Sequence, residues 1–281
     1  MASKTALTLP KRLIIFDLDG VIYRGDTPTV GSAEVISRLR EEGYELHFLT
    51  NNSSQSRQAY SVKLQRMGID VPPAEIMTSA YASALYLSQP PNTCRSALVV
   101  GEGGLVEELQ SVGIRAVLSG QDYSGEPVDA VVVGIDRQFT YQRLFQAQQA
   151  ILHGARFIAT NRDPTFPTEI GDVPGGGSIV AAIETASGQS PFTVGKPNTY
   201  TLEIILETRS AVLATAVMVG DRLDTDIDVG RHAGMETVLT LTGVTTRRQL
   251  EGLPASKQPT AVVQDLRRLP ELLTCPSQPT R

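Results

Sequence analysis

Leu13-Ile14-Ile15-Phe16-Asp17-Leu18-Asp19-Gly20 decides the fold. Four large apolar residues in a row read as a strand buried on both faces, as in a parallel sheet covered by helices. The acids that follow lie at its carboxyl end, where open α/β sheets place their sites, and Gly20 lets the chain turn away. Charge at the tip of an apolar strand is costly unless it is paired or meets a cation. A second run repeats the arrangement: Val217-Met218-Val219-Gly220 delivers Asp221-Arg222-Leu223-Asp224-Thr225-Asp226. Two strands of this design make a shared site the better reading, although solvated helix-capping acids would also explain either one alone.

Outward from these two strands the same grammar continues. A helix is expected at 32–42, closed by Gly43, then a strand at 44–50, and Tyr60, Leu64 and Met67 mark the apolar face of a helix that Gly68 ends. From about Ser83 the alternation restarts, with strands at 97–101, 130–134 and 156–160 and helices at 105–112, 141–152 and 178–186. The segment 192–194 leads into Gly195-Lys196-Pro197, where the main domain resumes with strands at 216–220, 237–241 and 261–263, a helix at 224–232 and an amphipathic end at 266–273. The class is therefore α/β, a parallel sheet with helices on both faces, interrupted by a smaller α/β domain. The boundaries are read as 1–82 and 188–281 for the main domain and 83–187 for the insertion. The tail 275–281, rich in Pro, Ser and Thr, reads as disordered.

Length and charge restrict the partners. A chain of 281 residues suits two cores rather than one. Its net charge of −5, with Lys and Arg scattered, offers no footprint for a nucleic-acid backbone. Cys94 and Cys275 read as free thiols, and with no signal-like start the expected compartment is the cytoplasm. No apolar run approaches the ~20 residues that span a bilayer, so no membrane partner is expected.

Hard oxygen ligands gathered at one sheet edge suit Mg2+, which takes one or two carboxylates together with waters and phosphate oxygens; Ca2+ would want more protein ligands. Asp224 reads as the N-cap of the following helix. Thr50-Asn51-Asn52-Ser53-Ser54 offers small hydrogen-bond donors to a phosphate dianion, and equally well makes a polar turn. Lys196 is a point charge beside a rigid Pro, though a lone Lys is more often on the surface. Gly101-Glu102-Gly103-Gly104 is a poor dinucleotide fingerprint, since its third glycine would fall on Val106. Gly175 to Gly177 reads as a tight crossover rather than as an anion site at a helix amino end, and His47, His153 and His232 as structural.

The order of these segments resembles the haloacid dehalogenase (HAD) superfamily of phosphatases. Its Asp-x-Asp motif falls on Asp17 and Asp19, its Ser/Thr motif on Thr50, its Lys on Lys196 and its acidic motif on Asp221 and Asp226. The strings at 16–25, 49–53, 159–164 and 174–178 resemble more narrowly the NagD-like, 4-nitrophenylphosphatase and phosphoglycolate phosphatase branch. That resemblance implies a doubly wound, Rossmann-like parallel-sheet core with an inserted α/β cap that selects substrate. It implies Asp17 as a nucleophile that forms an aspartyl-phosphate, Asp19 as acid and base, and Thr50, Asn51 and Lys196 as holders of the phosphoryl oxygens. Mg2+ is implied on Asp17, the Asp19 carbonyl and Asp221, with Asp226 orienting that shell, and specificity on the loop of Asn161, Asp163 and Phe166. The implied substrate is a small phosphomonoester: phosphoglycolate, a sugar phosphate, a nucleotide or an aryl phosphate. A homodimer through the cap rests on the resemblance alone. The rival readings are a phosphotransferase or mutase, whose usual cap position fits this chain poorly, and a non-catalytic phosphate-ligand binding protein.

Overall fold

The structure is a computed structural model and describes residues 7, 11–120, 123–168 and 171–273. Leu13–Asp17 is buried at every position, so the uninterrupted apolar run does face helices on both sides. It lies inside a six-stranded sheet ordered Ala261–Val263, Glu236–Thr240, Ala216–Gly220, Leu13–Asp17, Glu45–Thr50, Ile76–Thr78. Leu13–Asp17 pairs in parallel with Ala216–Gly220 on one side and Glu45–Thr50 on the other. The chain leaves this strand in one direction and returns on its other flank, which is the switch point where such sheets open a site. Phe16 stands opposite Val219, so the tips of the two acid-bearing strands lie side by side. Phe16 also stacks on Phe48, centroids 5.8 Å apart.

A second sheet has five strands, all parallel, ordered Phe192–Thr193, Arg156–Ala159, Ala130–Val133, Ser96–Val100, Arg115–Leu118. Its core joins Val131, Val133 and Phe157 of the sheet to Ala147 and Ile151 of the Tyr141–Leu152 helix and Val180 and Ile183 of the Gly176–Ser187 helix. Thr140 caps the first of these helices, accepting the N–H of Arg143 at 3.3 Å.

The chain divides into two compact units, Met1–Leu49 with Lys63–Ile76 and Lys196–Arg281, and Thr50–Val62 with Met77–Gly195. The inserted domain was expected at 83–187, and the second unit extends past both of those limits. At its end Phe192–Thr193, expected at the return to the main domain, pairs with Arg156–Ala159 instead, and Gly195 N–H continues to the Thr160 carbonyl at 2.8 Å. So short a strand carries too little pattern to name its sheet. At its beginning the Ser79–Ser88 helix, capped by Thr78, buries Ser79, Ala80, Ala82, Ser83, Ala84 and Leu87. Burial on nearly every side removes the amphipathic period that would have revealed it.

Among the described residues two antiparallel strand pairs complete the architecture, Tyr23–Arg24 with Thr27–Pro28 and Thr165–Thr168 with Gly171–Pro174. Among the described residues no helix is long and apolar enough to cross a membrane. Cys94 is a buried free thiol, and Cys275 with the tail after it lies outside the described residues.

Candidate active site

In the first unit the strand tips bring Asp17, Asp221 and Asp226 together, each offering a carboxylate oxygen within 4.8 Å of the others, all three buried. Lys196 is buried too, contrary to the surface expectation, and its Nζ stands 2.5 Å from Asp17 Oδ1 and 2.6 Å from Asp226 Oδ1. The other oxygen of Asp226 accepts the backbone N–H groups of Asp221 and Arg222 at 3.1 and 3.0 Å. Asp221 Oδ2 accepts the Val244 N–H at 2.6 Å, while among the described residues its buried Oδ1 has no hydrogen-bond partner.

Local backbone makes room for this crowding. Gly20 takes a φ of 86°, the left-handed region that glycine adopts freely, and a side chain there would strike the Asp221 carboxylate. Gly243 lies against the same carboxylate, where a Cβ would overlap it. The segment Leu223–Ile227 forms a π-type turn, with Ile227 N–H bonded to the Arg222 carbonyl, which turns Asp226 inward. Asp224 is not an N-cap: the π-turn moves the start of the next helix to Asp228, and Asp224 points outward to Arg222 at 2.9 Å.

The electrostatics follow from burial. Burial holds the Asp17 carboxyl well above the usual carboxylate range against the pull of Lys196, and Asp226 and Asp221 push it the same way. Burial and then the neighbouring Asp226 push Asp221 up to about 7. Burial works against the Lys196 charge, yet Asp17 and Asp226 outweigh it and hold the ammonium above the usual lysine range. Asp19 is partly exposed beside this group and accepts the Tyr23 hydroxyl at 3.3 Å; burial raises its carboxyl to about 6, opposed chiefly by Lys63.

The other candidates gather in the second unit. The Thr50 hydroxyl accepts the Asn52 N–H at 3.1 Å, and Asn52 Oδ1 accepts the Ser54 N–H at 2.9 Å, so this segment is a polar turn whatever else it does. Asn51 Nδ2 donates to both carboxylate oxygens of Asp163 at 3.1 and 3.2 Å. The Asn51 carbonyl accepts Ser79 Oγ–H at 2.5 Å and Asn161 Nδ2–H at 2.7 Å, and Asn161 Oδ1 accepts the Asp163 N–H at 3.0 Å. Thus Asn161, buried, braces two loops. Phe166 lies opposite Val173 in a hairpin, and its side chain is outside the described residues.

The weaker motifs resolve as packing. A Cβ on Gly104 would strike the Gln55 backbone, and one on Gly177 the Arg162 carbonyl. Burial, followed by Arg209, lowers the His47 ring to about 3, so it is a neutral core residue. Sequence reasoning missed Tyr23, Lys63, Gly243 and Val244. The first sits inside a quoted string, and Gly243 after an apolar strand was a legible turn signal; Lys63 carried none.

A family model for haloacid dehalogenase-like hydrolases matches residues 14–115, and a HAD-hydrolase-like model matches 193–269. Glycerol-3-phosphate phosphatase of Gallus gallus is 39% identical over 265 residues, which cover 88% of this chain and 84% of that protein. The chain belongs to the haloacid dehalogenase-like hydrolases. Phosphoglycolate phosphatase 1A of Arabidopsis thaliana, a chloroplastic protein, is 37% identical to this haloacid dehalogenase-like hydrolase, with 87% and 72% of the two chains covered.

Solved structures agree with that membership. The 4-nitrophenylphosphatase from Thermotoga maritima superposes with a TM-score of 0.86 at 35% identity, covering 94% of this chain and 98% of its own. NagD from E. coli K-12 superposes at 0.81 with 33% identity, covering 92% and 98%. Glycerol phosphate phosphatase from Mycobacterium tuberculosis in complex with magnesium superposes at 0.84 with 33% identity, covering 98% and 82%. This HAD hydrolase thus sits in the NagD-like branch, with the α/β parallel-sheet fold of its neighbours.

Proposed function

We propose that this HAD-type phosphoric monoester hydrolase acts on small phosphomonoesters through an aspartyl-phosphate on Asp17, with Mg2+ as cofactor. The observation that carries the reading is the buried cluster in which three carboxylates, Asp17, Asp221 and Asp226, face one ammonium, Lys196. With all three ionised that is an excess of two negative charges in a low-dielectric place, and among the described residues the buried Asp221 Oδ1 has no partner. A hard divalent cation fits both features. Asp17, Asp221 and the Asp19 carbonyl would hold it, and Asp226, whose oxygens already accept Lys196 and two backbone N–H groups, would orient Asp221 and the loop behind it. When bound, the ion supplies charge neutralisation to the phosphoryl oxygens.

The residues divide the remaining labour. The Asp17 carboxylate attacks phosphorus as the ester P–O bond breaks, the leaving oxygen taking the electron pair and the proton of Asp19. Water then attacks the aspartyl-phosphate, gives a proton to Asp19, and inorganic phosphate departs with Asp17 restored. Lys196 would meet the phosphoryl charge, and Thr50 and Asn51 are assigned to the same group. For Asn51 the contribution would be backbone, since its amide is committed to Asp163.

The second unit is the proposed cap, its loop 161–168 choosing the leaving group, with self-association through it an additional proposal. Phosphoglycolate, glycerol and other sugar phosphates, nucleotides and aryl phosphates are the candidates. Phosphate release from this panel with Mg2+, ranked by kcat/KM, tests the proposal. Release from none of them would end it.

A further inference from the structure

The candidate acid, Asp19, is held by a side chain outside the four family motifs. Just after it the chain makes one tight turn: Gly20 N–H donates to the Tyr23 carbonyl at 2.7 Å, and Tyr23 N–H reaches the Leu18 carbonyl at 3.3 Å. Asp19 and Tyr23 form an isolated β-bridge across it. The two side chains therefore meet although four residues separate them, and the Tyr23 hydroxyl donates to Asp19 Oδ2 at 3.3 Å. Among the described residues no other hydrogen bond reaches that carboxyl group.

The donor is itself fixed. Tyr23 is fully buried, at the base of the Tyr23–Arg24 and Thr27–Pro28 hairpin. Lys63 Nζ stands 4.1 Å from its ring centroid, and the same ammonium pairs at 3.4 Å with Asp26, in the turn of that hairpin. A cation over a tyrosine face is attracted by the ring quadrupole, so Lys63 presses the ring into one position.

We infer that Tyr23 is a positioning residue for proton transfer from Asp19, with Lys63 holding its ring, and that this pair governs how well the enzyme expels poor leaving groups. A carboxylic acid has one oxygen that carries the proton and one that only accepts. A phenol O–H aimed at Oδ2 assigns the accepting role to that oxygen and leaves the proton on Oδ1, on the side away from Tyr23. In the transfer the Oδ1–H bond breaks, the ester oxygen gains the proton, and that oxygen keeps the electron pair of the broken P–O bond. Without the phenol the carboxyl group rotates, and the proton is shared between both oxygens. The inference rests on the reading of Asp19 as the acid.

The demand for that proton depends on the ester. An alkoxide is a strong base and leaves only when protonated, whereas 4-nitrophenolate leaves unaided. A residue that merely supported the fold would affect both esters alike. The test measures kcat/KM, which reports the step that expels the leaving group, for glycerol 3-phosphate and 4-nitrophenyl phosphate with Mg2+. Tyr23→Phe keeps the ring, its burial and its contact with Lys63, and should lose about tenfold on the alkyl ester and less than about twofold on the aryl ester. Lys63→Met should show the same selectivity at about threefold. Equal losses on the two esters, or none on the alkyl ester, would overturn the inference while the wild-type rates keep the phosphatase reading intact. A wild type inert toward both esters would remove that reading, and the inference with it.

Discussion

Two polar clusters, one in each unit, are built on opposite principles. Around Lys196 two buried carboxylates, Asp17 and Asp226, share one ammonium, a third, Asp221, lies beside them, and among the described residues one oxygen of Asp221 has no partner. Around Asn51, its side-chain amide donates to the Asp163 carboxylate, its carbonyl accepts the Ser79 hydroxyl and the Asn161 amide, and Asn161 Oδ1 accepts the Asp163 N–H, with charge on a single member. The first is short of positive charge and has its titration shifted by several neighbours; the second is satisfied by hydrogen bonds. A charge deficit suits the cation and phosphoryl group proposed for the first cluster, and a satisfied network suits a cluster that holds loops in one shape.

The comparison breaks most directly at Asp17. Asp17→Asn keeps shape and removes the proposed nucleophile, so turnover should fall by at least about a thousandfold with folding retained. Phosphate-release assays paired with circular dichroism check this, and near-normal turnover would defeat the assignment. Lys196→Met leaves Asp17 and Asp226 buried without their counter-charge, which should cost about 3–5 kcal/mol of stability. Denaturant titration reads the loss, and Mg2+ should recover part of it if the deficit is electrostatic.

The second cluster should respond more mildly. Asp163→Ala removes both hydrogen bonds that its carboxylate accepts from the Asn51 amide, a cost of about 1–3 kcal/mol. The same denaturant titration reads it, and here Mg2+ should recover nothing. Recovery by Mg2+ would mean the two clusters are not distinct in kind.

The smallest expected effect is a pH dependence. Asp221, pushed up to about 7 by burial, binds a proton in the folded chain that the unfolded chain, with an ordinary carboxyl near 3.8, releases. Stability of metal-free protein contributed by this group is therefore complete below pH 3.8 and is lost as pH rises through about 7. Melting temperature without metal should drop between pH 6 and 8, roughly a degree or two for such a chain, and added Mg2+ should reverse the trend because it competes for the same carboxylate. A melting temperature that rises with pH in the absence of metal would contradict this.

Much of this architecture was legible, for reasons that differ by element. Leu13–Asp17 and Ala216–Gly220 announced themselves because strands buried on both faces must be apolar throughout, and acids at their tips need an explanation. Tyr141–Leu152 was legible from its helical period and ends where expected. Ser79–Ser88 was hidden by burial on nearly every side, and Phe192–Thr193, read as leading back to the main domain, pairs with Arg156–Ala159, because two residues carry no pairing preference of their own. Asp224 looked like a cap until the π-turn displaced the helix start.

What the sequence by itself determined is the parallel α/β class, the acids at the strand ends and, through the order of its motifs, the family. These depend on residue type at local spacing, which one chain displays without folding. Only the tertiary structure decided that Lys196 is enclosed between two carboxylates, that Asn51 is tied to Asp163 across 112 positions, and that Tyr23 and Lys63 stand behind Asp19. Contacts between residues so far apart follow from sheet order and loop closure, and neither composition nor period encodes those directly.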